Sequence, residues 1–141
     1  MKEPMSWSTC LAGHISKVTP DEEKIKSMIK MCNVRLKTIS QITVDDETAS
    51  IVACDYYEII KELLVGLLLK SGLKSDNHEC LIAFFRHKFP EYEYESNLIY
   101  GLKDVRNRAS YDGIFVKKDY IDKNHLEFNH IIKLLNKLLE D

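Results

Sequence analysis

Residues that make tight turns are scarce in this sequence. Only 5 glycines and 3 prolines occur among its 141 residues, too few for a sandwich of many short strands. Apolar residues make up 45% of the chain and charged residues 30%, an ordinary globular mixture. The length suits one domain with a sizeable core. Composition therefore points away from an all-β sandwich and towards a single globular unit.

The chain also lacks a large excess of either charge and any apolar run of membrane length. Its formal net charge is −2, so no overall basic field favours nucleic acid, although a local basic patch is compatible with this value. The longest apolar run, residues 63–69, is far too short to cross a bilayer. The N-terminus lacks the basic-then-apolar order of a signal peptide. We therefore expect a cytoplasmic protein without a membrane partner.

No two of the four cysteines are closely spaced, which argues against a zinc ribbon or a thioredoxin-type site. Cys32 and Cys54 lie within apolar helical patterns, so we interpret them as small core residues in a reducing cytoplasm. Cys10 and His14 have the spacing of half a metal site, but no second ligand pair is evident. The favoured interpretation of residues 1–18 is an N-terminal arm that Trp7 packs against the domain.

A single Glu127-x-x-His130 motif has the spacing found in carboxylate-bridged metal bundles. Such sites need two of these motifs and further inward glutamates. We therefore predict no metal and no cofactor.

Apolar periodicity predicts a helical domain over residues 19–141, with about five helices. The first covers residues 20–40, with Thr19, Pro20 and Glu22 as start signals. The second covers residues 49–69 and is apolar almost all round, so it is central or faces both the core and a partner. A shorter helix opens with Asp76 and Glu79 as a capping pair. The fourth covers residues 91–113, and Asp119 caps the last helix.

No stretch alternates convincingly as a strand. The short links between these helices imply an all-α, up-and-down bundle.

The best functional clue is residues 98–113, which separate into two faces when placed on a helix. One face is apolar: Leu98, Leu102, Val105 and Ala109. The other face presents Arg106, Asn107, Ser110 and Tyr111. Gly113 follows at the position where a left-handed residue ends a helix. One side of this helix can therefore close the core while the other binds a ligand.

Further candidate residues surround Arg106. Lys103, one turn earlier, joins Arg106 and Ser110 as a candidate ligand-binding residue. Asp55, Glu58 and Glu62 form one acidic line on the second helix, which is either a solvated strip or brings Asp55 or Glu58 to Arg106 to orient it. His78, at the start of the short helix, is interpreted as a terminus or packing residue rather than as a ligand.

The run Arg106-Asn107-Arg108-Ala109-Ser110-Tyr111 resembles the signature of HEPN domains, in which an Arg and a polar residue precede a His by four to six intervening positions. Arg106 and Asn107 match the first two positions, and Tyr111 stands in place of the His. The long apolar second helix, the link at residues 71–79 and the final amphipathic helix extend the resemblance over residues 20–141. The Arg-x4-Tyr form is similar to the branch known as uncharacterised protein family UPF0332.

The resemblance implies a homodimer that forms through the second and fourth long helices and brings two polar clusters together in a cleft. Active HEPN proteins are often metal-independent ribonucleases, in several cases toxins paired with a nucleotidyltransferase antitoxin. Arg106 would then hold the scissile phosphate and Asn107 would fix its orientation.

The motif His would move a proton, whereas a phenol at residue 111 stays protonated at pH 7 and is a poor base. Catalytic roles for Arg106, Asn107 and Tyr111 are therefore the alternative, and binding of RNA or a nucleotide is the leading expectation. The third alternative is a structural or adaptor bundle, in which these residues form a hydrogen-bonded dimer contact.

Overall fold

The computed structural model describes residues 4–141, and these form an all-α bundle with one small sheet. The elements in chain order are α1 (Trp7–Gly13), β1 (Ile15–Lys17), α2 (Glu22–Ser40), α3 (Ala49–Lys70), β2 (Leu73–Ser75), α4 (His78–Lys88), a 3-10 turn (Pro90–Tyr92), α5 (Glu93–Asp112) and α6 (Lys118–Glu140). The predicted helical fold class is therefore confirmed. Within the described residues, no helix is both long and apolar enough to pass through a membrane.

Helix α3 is the centre of the bundle. It packs against α2, α4, α5 and α6, and most of its residues are buried, while Ile51, Asp55, Glu58 and Glu62 lie on one less buried side. The near-continuous apolar character of residues 49–69 predicts such a central helix, because a helix with neighbours on most sides has only a narrow polar strip. Outer helix α6 is amphipathic instead, with one buried stripe: Ile121, Phe128, Ile131, Ile132, Leu135 and Leu139.

Helix α3 begins at Ala49 as predicted, whereas the predicted starts of α2, α4 and α6 are wrong by one or two residues. Asp21, not Thr19, caps α2, because its carboxylate accepts the Lys24 N–H at 3.0 Å. Asn77, not Asp76, caps α4 by accepting the Glu79 N–H at 2.8 Å. The last helix begins one residue before Asp119. Several adjacent polar residues at the starts of α2 and α4 suit a cap, so the sequence does not decide which one is used.

Residues 7–17 of the predicted arm have regular structure. They form α1 and the strand β1, which pairs antiparallel with β2 in the register Ile15 to Ser75, so the expectation of no strands is corrected. Each strand has three residues, too few for alternation to be visible in sequence. Residues 1–3 of the predicted arm lie outside the described residues. Trp7 packs as expected, edge-on to Phe84 with 5.4 Å between ring centroids.

A disulfide joins Cys10 of α1 to Cys80 of α4. Cys10 is therefore not half of a metal site, and His14 Nδ1 instead lies 2.7 Å from Asp76 Oδ1. Cys32 is a free, buried core residue as predicted, whereas Cys54 is free and only half-buried.

Candidate functional site

A cleft of about 520 Å³ opens between α5 and the start of α4. Helix α5 supplies Lys103, Arg106, Asn107 and Tyr111 to its lining, so four of the candidate residues share one site. The opposite side is built by residues 76–79, with Met5 from the N-terminal segment. The cleft therefore combines residues from three separate parts of the chain.

Arg106 is held in place by neutral groups. Its Nη1 donates to Asn107 Oδ1 at 3.1 Å and to Tyr111 Oη at 3.0 Å. Its Cζ lies 5.5 Å from the ring centroids of both Tyr57 and Tyr111, a favourable cation–π distance. In residues 4–141, no carboxylate forms an ion pair with this guanidinium. Arg106 is therefore an oriented cation whose charge remains available to an anion.

The end of α5 places Tyr111 beside Arg106. Gly113 has φ +66°, and its N–H bonds to the Arg108 carbonyl as the helix stops. The predicted left-handed C-cap is thus confirmed. Leu102 is fully buried on the opposite face, and Val105 packs against the same core. The two faces of residues 98–113 therefore divide largely as their periodicity predicts.

Lys103 differs from Arg106 because acidic partners surround it. Its side chain is buried, with Nζ 3.4 Å from Glu79 Oε1 and 3.7 Å from Asp104 Oδ1. The contact with Glu79 links α5 to α4 and fixes the separation of the cleft walls. Because its charge is balanced, Lys103 is better placed to support the cleft than to bind a ligand.

Three other candidates form no bond with Arg106 within the described residues. Ser110 does not line the cleft, and its Oγ lies 3.7 Å from Cys54 Sγ on α3. Glu58 accepts a 2.9 Å bond from Lys61. For Asp55, burial raises the carboxyl pKa, while the charge of Arg35 acts in the opposite direction. No bond joins either carboxylate to Arg106 within the described part of the chain, so neutral groups orient the guanidinium instead.

His78 is the helix-terminus residue that the sequence predicted, but its position in the cleft was not predicted. It is the first residue of α4 and lines the same cleft as Arg106 and Tyr111. Burial lowers the imidazole pKa below its ordinary 6.5, and the positive charges of Lys61 and Arg106 lower it further. These effects favour the neutral form of the ring. Only the helix-start signal singled out His78, and no local pattern could show which helix it faces.

The alternative metal motifs are not assembled. In the described residues, no group of three or more His, Cys, Asp or Glu side chains is arranged to hold a metal ion. His130 of the Glu127-x-x-His130 motif lies 3.6 Å from Glu95.

The cleft offers the Arg106 guanidinium, the Asn107 amide, the Tyr111 phenol and the His78 imidazole, and its lining also includes Asp76, Asn77, Glu79 and Lys103. Comparisons of the chain with protein-family models, with curated proteins and with solved structures find no match. What the cleft binds must therefore be inferred from these groups.

Proposed function

We propose that the Arg106 cleft binds the phosphate of RNA or of a nucleotide, in a HEPN-like homodimer. The observation that carries this proposal is the state of Arg106, which lies within cation–π distance of two tyrosine rings and is bonded, among the described residues, only to neutral acceptors. An arginine held for structural reasons alone would be expected to pair with a carboxylate. A fixed guanidinium without one suits a phosphate, which accepts two parallel N–H bonds.

The second feature in favour of a nucleotide ligand is the exposed ring of Tyr111. This side chain is 73% exposed although it belongs to the cleft. A base that extends from a phosphate on Arg106 can stack on such a ring, as unpaired bases do on aromatic side chains. Stacking favours RNA or a nucleotide over inorganic phosphate.

The proposed assembly is a homodimer through α3 and α5, with a nucleotidyltransferase as a possible partner in a toxin–antitoxin-like pair. Its support is the resemblance of residues 106–111 to the HEPN signature and the apolar side chains exposed near the end of α5. A cytoplasmic location stays a prediction, and the Cys10–Cys80 disulfide opposes it, because disulfides persist mainly in oxidising compartments.

The test measures binding of a fluorescent single-stranded RNA by anisotropy, with AMP and ATP as competitors. Arg106→Ala removes one charge-assisted contact, worth about 1.5–3 kcal/mol, so the dissociation constant should rise about 10-fold or more. Arg108→Ala is the matched control, because Arg108 is an exposed arginine of the same helix that lies outside the cleft.

Equal losses in the two variants would indicate a diffuse electrostatic effect, and unchanged binding in Arg106→Ala would refute the proposal. Absence of any binding by the wild type would leave the adaptor interpretation.

A further inference from the structure

A groove of about 280 Å³ lies beside α2, where that helix packs on α3. Met28 and Met31 of α2 line it, together with Lys24 and Arg35 of the same helix and Glu62 of α3. Met31 is 56% exposed. Lys24 and Arg35 are about 16 Å apart along the helix axis, because an α-helix rises about 1.5 Å per residue. This surface, which we call the Met groove, therefore places two methionines between two cations.

The charge of α2 has one sign along most of its length. Lys24, Lys26, Lys30, Arg35 and Lys37 are all exposed, and residues 24–40 contain no acidic side chain. The whole chain has a formal net charge of −2, so the positive charge is concentrated on this helix. Such a local field attracts an acidic partner.

The acidic groups near the Met groove leave this field in place. Glu62 lies 3.4 Å from Lys61 of its own helix, which balances its charge. The charge of Arg35 opposes the rise that burial causes in the pKa of the Asp55 carboxyl. Lys24 forms no ion pair within residues 4–141. At least one end of the groove therefore presents a cation to solvent.

We propose that the Met groove docks an acidic amphipathic helix of a partner protein. The apolar stripe of that helix covers Met31 and also Val34, which is 53% exposed one turn further along α2. Its carboxylates meet Lys24 and Arg35 at the two ends of the groove. Methionine side chains adapt their shape to a partner, and they are common where a helix docks into a groove.

The groove suits a helix better than the other classes of ligand. Its volume is below the about 300–1,000 Å³ of small-molecule pockets, but it admits inserted side chains. Helix α2 has no aromatic residue on which a nucleic-acid base could stack. Of its large apolar side chains, Met31 and Val34 are the exposed ones, which is too small an apolar face to hold a helix in a lipid surface.

The experiment uses the full chain and a fluorescent synthetic peptide of about 18 residues, or five helical turns, with a leucine stripe flanked by glutamates. A second peptide has lysine in place of every glutamate. Anisotropy should show that the wild type binds the acidic peptide at least about 10-fold more tightly than the basic one, and that salt weakens this binding. Equal affinities, or no affinity for the acidic peptide, would overturn the proposal.

A single variant tests the apolar centre of the groove. Met31→Asp should weaken binding of the acidic peptide about 10-fold or more, because it places a charge inside the contact. The matched control is Leu126→Asp, at an exposed apolar position of α6, which should bind as the wild type does. Unchanged binding in Met31→Asp would show that the peptide docks elsewhere.

A charge reversal keeps the test decisive if a variant is less stable. Lys24→Glu/Arg35→Glu should lose the acidic peptide and gain at least about 10-fold in affinity for the basic one, a gain that unfolding cannot produce. Lys133→Glu/Lys137→Glu makes the same change of net charge at exposed positions of α6 and should keep the wild-type preference. The same reversal in both variants would reduce the effect to net charge and overturn the proposal.

Two further probes separate this surface from other partners. Binding of single-stranded RNA or of phosphatidylserine vesicles that Met31→Asp abolishes would assign the groove to that partner instead. The Met groove and the Arg106 cleft share no lining residue, so Arg106→Ala should bind the acidic peptide normally. Loss of the peptide in Arg106→Ala would place it in the cleft and refute docking at α2, without bearing on whether the cleft binds RNA.

Discussion

The two free cysteines occupy different environments. Cys32 is buried against α3, where its Sγ lies 3.7 Å from the Ile59 carbonyl oxygen, and burial raises its pKa to about 11. Cys54 is half-buried beside Ser110. Because the thiolate is the reactive form, iodoacetamide at pH 8 should modify Cys54 well before Cys32 in the native protein. Peptide mapping by mass spectrometry measures both rates, and denaturant should abolish the difference between them. Equal rates in the folded state would contradict the burial of Cys32.

Side chains on one helix could be grouped from the sequence, whereas those on different helices could not. Arg106, Asn107 and Tyr111 meet because helical spacing alone brings them within reach of one another. His78 joins them only through the packing of α4 on α5, which leaves no local pattern. Lys103 was placed on the right face, but its pairing with Glu79 depends on the same packing. Contacts between helices therefore decide which candidate charges remain available.

Two glycines of α5 should respond in opposite directions to substitution by alanine. An added Cβ meets nothing within 4 Å at either Gly101 or Gly113, so crowding is not a factor. Gly101 is in the helix interior, where alanine is favoured by about 0.5–1 kcal/mol. Gly113 has φ +66°, where a Cβ costs about 1–2 kcal/mol. Urea unfolding monitored by circular dichroism should show a higher midpoint for Gly101→Ala and a lower one for Gly113→Ala. Shifts of the same sign would contradict this account of the α5 end.

Long elements were predictable and short ones were not. The helices of the bundle have enough turns for the spacing of their apolar residues to be visible. The polar residues between them lie where the helices face water. The seven residues of α1 and the paired strands β1 and β2 are too short to show a period. The strands depend on each other for hydrogen bonds, and α1 depends on the disulfide and on Trp7.

The proposed homodimer has a candidate contact at the end of α5. Tyr111, Ile114 and Phe115 are 73%, 55% and 62% exposed, and Ile51 of α3 is 57% exposed. Because a charge in such a contact would lose its hydration, Phe115→Asp should convert a wild-type dimer into a monomer. Sedimentation equilibrium at micromolar concentration gives the mass. The control is Leu126→Asp, which alters a similarly exposed apolar residue of α6 and should leave the dimer intact. A monomeric wild type, or a dimer that survives Phe115→Asp, would refute this contact.

The Cys10–Cys80 disulfide connects α1 directly to α4, so the covalent connections of the molecule do not follow the order of its helices alone. Cys10 and Cys80 close a ring that contains α2 and α3, while α5 and α6 lie outside it. A mechanical load applied at the N-terminus therefore passes across the sulfur atoms directly into α4 and bypasses the central helix. After α1, the first element to bear such a load is α4, which carries His78 two residues before the crosslink. A tether at this end of the chain would therefore pull on a wall of the cleft before it strained the bundle interior.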